Sequence, residues 1–244
     1  MRKLPIIIEF LQNITYLSEI APFFFCLLFY KRILSKEIKV FFVYTIVLVI
    51  SLAITVTILH FSRRYLALSV KFFLVLEFIL LSVIYIFIFK SNKSKQFIVL
   101  SICLYIIYWL YNFHISKFDE FDFIPLVVEC LFFTLLIVYY FYDIMQHNFT
   151  MPLYQLPSFW ISVAFLIYFS GNFFLFLYSK SMLGEPGFDD QYTFIYSSIA
   201  IIKNALLSVA IFVNKNLMTQ KENRPIPADL NLDNFKPFNK SINT

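Results

Sequence analysis

The chain has 244 residues and is 60% hydrophobic, 21% aromatic and only 14% charged, with a formal net charge of +5. Soluble domains average about 45–50% apolar and about 25% charged residues, and a water-exposed fold of this size has too few interior positions to hide so much apolar surface. A soluble enzyme, a nucleic-acid-binding domain and a disordered chain are therefore excluded. The chain is expected to be an integral membrane protein whose first partner is the lipid bilayer and which binds no nucleic acid.

At the amino terminus, Met1-Arg2-Lys3 and the apolar residues 4–10 have the outline of a secretory leader. No small-residue cleavage site follows and Glu9 interrupts the run, so the segment is expected to be an interfacial stub entering the first helix. A spanning helix needs about 20 mainly apolar residues. Seven runs qualify, at about 14–30, 40–60, 66–89, 97–113, 123–142, 159–178 and 192–213. They are continuous rather than alternating, which excludes a membrane β-barrel and predicts an all-α seven-transmembrane-helix bundle over residues 1–213. The first run is short, with Pro22 placed to bend it. Residues 214–244 are polar, carry Pro225, Pro227 and Pro237, and read as a disordered cytoplasmic tail too small for a catalytic domain.

Glycine occurs 3 times against 33 phenylalanines. Close helix crossings need small residues, so large interlocking side chains are expected to pack this bundle instead. The halves show no internal repeat and no matched Gly/Pro-broken helices, which counts against inverted-repeat transporters.

The connections carry the orientation. With the amino terminus outside, the inner side holds Lys31, Arg32, Lys36, Lys39, Lys90, Lys93, Lys95, Lys215, Lys221 and Arg224, ten basic residues in all. The outer side holds six: Arg2, Lys3, Arg63, Arg64, Lys117 and Lys180. The positive-inside rule favours an outer amino terminus and a cytoplasmic carboxyl terminus. Asp119, Glu120, Asp122, Glu185, Asp189 and Asp190 then fall outside, and the connection 143–158, without Lys or Arg, carries no weight.

A charge deep in a bilayer costs about 2.5–3.5 kcal/mol on insertion scales, so it calls for a partner or a purpose. Five such groups lie in the spans: Glu19, Lys71, Glu77, Glu129 and Lys203. From the span boundaries, Glu19, Lys71 and Glu129 belong to an outer polar layer together with Trp109, Asn112 and Asn172, while Glu77 and Lys203 lie deeper, near the midplane. Lys71 and Glu77 are six residues apart and share no helix face. These groups are expected to line an outward-facing polar cavity for a small ligand, with Glu77 and Lys203 as an ion pair. The plainer reading is that they only link helices, at about 0.6 kcal/mol per hydrogen bond, with Lys71 snorkelling outward along its helix.

Other chemistry is sparse. Cys26, Cys103 and Cys130 lie in apolar runs and suit no disulfide framework or zinc site, and His60, His114 and His147 form no ligand pair. No phosphate loop, nucleophile elbow or HExxH motif is present. No enzyme activity, cofactor or metal is expected. Lys203 invites comparison with retinal-binding rhodopsins, but Ile199 stands where the microbial members carry an Asp.

The stretches Pro157-Ser158-Phe159-Trp160-Ile161-Ser162, Tyr168-Phe169-Ser170-Gly171-Asn172 and Ile201-Ile202-Lys203-Asn204 resemble seven-helix membrane proteins of Bacteroidota. The layout as a whole is similar to the membrane sensor portion of bacterial seven-helix histidine kinases, in which the last helix leads into a catalytic module that is missing here. The resemblance covers the spans only and assigns no functional residue. It implies a receptor-like protein of the bacterial inner membrane, sensing a small ligand and signalling to a separate partner such as a histidine kinase. The alternatives are a small transporter or permease using the intramembrane Glu and Lys residues for substrate or proton coupling, and an accessory subunit without a ligand.

Overall fold

A computed structural model of the protein describes residues 3–30, 36–61, 65–115, 123–146, 152–182 and 185–222. Seven helices follow in chain order: α1 (Lys3–Leu28), α2 (Lys36–Phe61), α3 (Leu66–Ile88), α4 (Asn92–Ile115), α5 (Ile124–Gln146), α6 (Pro157–Met182) and α7 (Phe188–Glu222). A 3-10 turn at Leu153–Gln155 leads into α6, and the described residues include no strand. Each helix holds a stretch of 21 to 27 residues long and apolar enough to cross a membrane. At about 1.5 Å rise per residue these lengths match a hydrocarbon core about 30 Å thick. The chain is a multi-pass membrane protein with a seven-helix bundle.

Apart from α3, the helices are longer than the apolar runs, because a helix continues through polar turns at the interface where apolar content alone ends. The amino-terminal segment is not a separate stub: α1 is continuous from Lys3, with Pro5 in its first turn, where the missing N–H has no intrahelical acceptor to lose. The helix also runs through Pro22. At the other end α7 continues to Glu222, into the stretch expected to be tail. Residues 223–244 lie outside the described residues, as do Lys31, Arg32, Arg63, Arg64, Lys117, His147 and the acidic cluster Asp119-Glu120-Phe121-Asp122.

Neighbouring helices pack as α4–α3–α2–α1–α7–α6–α5. Aromatic side chains close the bundle across the gap this order leaves. Phe78 of α3 stacks on Tyr105 of α4, with centroids 3.8 Å apart and planes at 6°, and reaches Phe132 and Phe133 of α5 at 5.1 and 5.2 Å. Phe133 stacks on Phe169 of α6 at 5.0 Å, and Phe165 of α6 meets Tyr44 of α2 edge-on at 5.6 Å. The Tyr85 hydroxyl donates to Ser162 Oγ at 3.2 Å, joining α3 to α6. Such ring pairs contribute about 0.5–1.5 kcal/mol each beyond simple burial, and they replace the close backbone approach that glycine would allow.

The exception is Gly171, where a Cβ would stand 2.9 Å from Ile199 Cδ1, so α6 and α7 come close there. Helix α4 is the outermost, with Phe97, Leu100, Leu104 and Ile107 exposed to the surrounding lipid.

Candidate functional site

The amino-terminal halves of α1, α3, α5 and α7 and the carboxyl-terminal halves of α2 and α6 share one end of the bundle. There they surround a cavity of about 420 Å³. This size falls within the range of small-molecule sites, about 300–1,000 Å³. Its floor is charged: Glu19 of α1, Glu77 of α3 and Lys203 of α7 all line it. Tyr168, Tyr192 and Tyr196 form one wall, Phe73, Leu74 and Leu52 another, and Thr15, Ser51 and Thr55 supply hydroxyls.

Two interactions place the charges. Asn204 of α7 donates through Nδ2 to Ser18 Oγ of α1 at 3.0 Å. Lys203 and Glu19 are the neighbours of this pair, so the bond sets α1 and α7 in a register that brings both to one level. The Tyr44 hydroxyl of α2 donates to Glu77 Oε1 at 3.0 Å and holds that carboxylate.

Lys203 is only 4% exposed. Its Nζ lies 4.4 Å from the centroid of the Tyr168 ring, a cation–π contact. The Tyr168 hydroxyl in turn lies 3.4 Å from that of Tyr196, and Tyr196 stacks on Tyr192 at 6.0 Å. The Lys203 charge acts on both Glu19 and Glu77 through space. Among the described residues, however, no carboxylate closes on its ammonium as a direct ion pair or hydrogen bond. The carboxylate of Glu19 likewise meets no hydrogen-bond donor among the described residues. The three charges face a shared volume rather than one another.

Behind Glu77 lies Glu129 of α5, 2% exposed, with Oε1 lacking a hydrogen-bond partner. Its charge interacts with that of Glu77, and it is not part of the cavity wall.

The structure divides the expected site residues. Glu19, Glu77 and Lys203 come together, with Glu129 adjacent. Glu19 lies deeper than its expected place in an outer layer, since the first span is Ile8–Leu28 and Glu19 stands midway along it. Lys71, Trp109 and Asn112 do not reach the cavity. The Trp109 indole Nε1 donates to the Lys71 carbonyl oxygen at 3.0 Å and its ring packs on Phe72 and Phe113, a tie between α3 and α4. Asn172 is fully buried and donates through Nδ2 to the Tyr168 carbonyl oxygen on its own helix at 2.9 Å.

The residues missed in the sequence are Tyr44, Tyr168, Tyr192 and Tyr196. With 16 tyrosines in the chain, nothing in the local pattern marks these four. Among the described residues no group of His, Cys, Asp and Glu is arranged to hold a metal ion. Comparison with protein families, with curated proteins and with solved structures finds no match to this chain.

Proposed function

We propose that this chain is a receptor-like protein of the bacterial inner membrane, oriented with its amino terminus outside. The cavity receives a small ligand from the outer side, and the bundle passes the change in helix packing to a separate signalling partner such as a histidine kinase. One observation carries the reading: Glu19, Glu77 and Lys203, from three different helices, face a common cavity without neutralising one another by direct contact. Intramembrane ionisable groups are costly. A site that keeps them apart retains polar groups for an incoming molecule. A ligand bridging α1, α3 and α7 has different affinity for two packings of those helices, which is the requirement for switching. The ten-to-six excess of basic residues at the opposite end supports the orientation.

Gentle cross-linking in native membranes followed by tagged purification and mass spectrometry tests the reading. Co-purification of a histidine kinase or other output protein supports it, and recovery of the chain alone overturns it. The buried Glu129 beside Glu77 favours a second reading, a proton-coupled transporter, because a carboxyl group away from solvent and next to the cavity suits a proton carrier. Substrate flux into proteoliposomes, driven by a pH gradient, would select it.

A further inference from the structure

The cavity's charge and shape define a ligand class, an inference that rests on reading the cavity as a ligand site. Its charged lining consists of Glu19, Glu77 and Lys203, two carboxylates against one ammonium. In a cavity between membrane helices such an imbalance is screened less than it is at a surface. Lys203 is already seated against the Tyr168 ring, and Tyr44 donates to Glu77. Glu19 has neither a donor nor a contacting cation among the described residues, so it is the open anionic position. Beside it the lining combines the stacked Tyr192 and Tyr196 with Phe73, Leu52 and Phe176, and with the uncharged hydroxyls of Thr15, Ser51 and Thr55.

The geometry points to a small organic amine with an apolar body, its ammonium on Glu19 and its body against the tyrosine wall. A cation restores neutrality to the Glu19–Glu77–Lys203 set, and an apolar body of modest size fills the remaining space beside aromatic faces that also attract cations. A zwitterion would leave the imbalance as it is, and an anion would enlarge it.

The test uses the full chain in lipid nanodiscs and three probes that share one ring and differ in charge: 2-phenylethylamine, phenylalanine and 3-phenylpropionate, at about millimolar concentration. The amine is expected to bind at least tenfold more tightly than the other two. Glu19→Gln is expected to weaken amine binding tenfold or more. Lys203→Met, which removes the competing cation, is expected to leave amine binding intact or strengthen it, a direction that damage to the fold would not produce. Best binding by phenylalanine with loss in Lys203→Met, or best binding by phenylpropionate, overturns the amine assignment and leaves a ligand-binding receptor standing. Absence of binding by all three also overturns it. The receptor reading is then decided by the cross-linking experiment, which needs no ligand.

Discussion

Asn204 of α7 and Ser18 of α1 are joined by a 3.0 Å hydrogen bond, and the residue beside each of them is a charge of the cavity floor, Lys203 and Glu19. A pair of small polar side chains thus sets the register of two long helices and, through it, the distance between an ammonium and a carboxylate. Interhelical hydrogen bonds in membranes average about 0.6 kcal/mol and reach about 1.7 kcal/mol. Ser18→Ala and Asn204→Leu, combined in a double-mutant cycle, are expected to show a coupling energy in that range by detergent unfolding. Additivity of the two would mean that packing alone sets the register.

Tyr44→Phe isolates the hold on Glu77. The ring remains against Phe41 and Phe165 while the hydroxyl donor is lost. Leaving a fully buried acceptor without its donor costs about 1–3 kcal/mol, which is an upper bound for the half-buried Glu77 at the cavity wall. The variant is expected to unfold more easily by up to that amount, and Tyr44→Phe with Glu77→Leu together should recover part of the loss. No change in the single variant would mean that the Glu77 carboxylate finds another donor.

The aromatic seam is expected to carry much of the packing energy. Phe133 is wholly buried and contacts Phe78, Tyr85, Phe132 and Phe169 across three helices. Truncating a buried Phe to Ala costs about 3–5 kcal/mol in cores. Phe133→Ala is expected to approach that loss. Leu104→Ala, on the lipid-facing side of α4, should stay within about 0.5 kcal/mol. Equal losses at the two sites would show that α4 is covered by protein.

Orientation is open to a labelling test. Single cysteines are placed at Glu185, by the α6–α7 connection, and at Ser91, by the α3–α4 connection, after replacement of Cys26, Cys103 and Cys130. In intact cells a membrane-impermeant thiol reagent is expected to modify the Glu185→Cys protein and spare the Ser91→Cys protein. The reverse pattern would place the cavity on the cytoplasmic side and overturn the outward-facing assignment.

Removing the ammonium alone should cost stability modestly, without unfolding the bundle. Lys203→Met leaves Glu19 and Glu77 without their through-space cation, but no direct ion pair is broken, so the loss is expected to stay below the about 3–5 kcal/mol of a severed buried pair. Adding Glu77→Gln to Lys203→Met is expected to restore a large part of the lost thermal stability. If the double variant is no more stable than the single one, Glu77 and Lys203 do not share an electrostatic balance.

Composition and apolar run length determined, without any structure, that this is an all-helical membrane protein with seven spans. Each span must satisfy its own backbone hydrogen bonds in lipid, so its signal is local and continuous. The scarcity of glycine likewise announced a bundle packed by large side chains, as the Phe78, Phe133 and Tyr85 contacts bear out. Charges within apolar runs named Glu19, Glu77, Glu129 and Lys203, because any ionisable residue stands out against such a background.

Which of them meet is fixed by the way the helices pack. Membership of the cavity depends on the rotation and register of helices distant in the chain, and these follow from contacts such as Asn204–Ser18 and Tyr44–Glu77, between residues that local sequence cannot pair. For the same reason Lys71 and Trp109 meet on a different seam, between α3 and α4. The tyrosines of the cavity wall stayed hidden in the sequence because an aromatic residue in a membrane helix serves lipid, core or ligand equally well, and only the direction its face points in the folded bundle tells them apart.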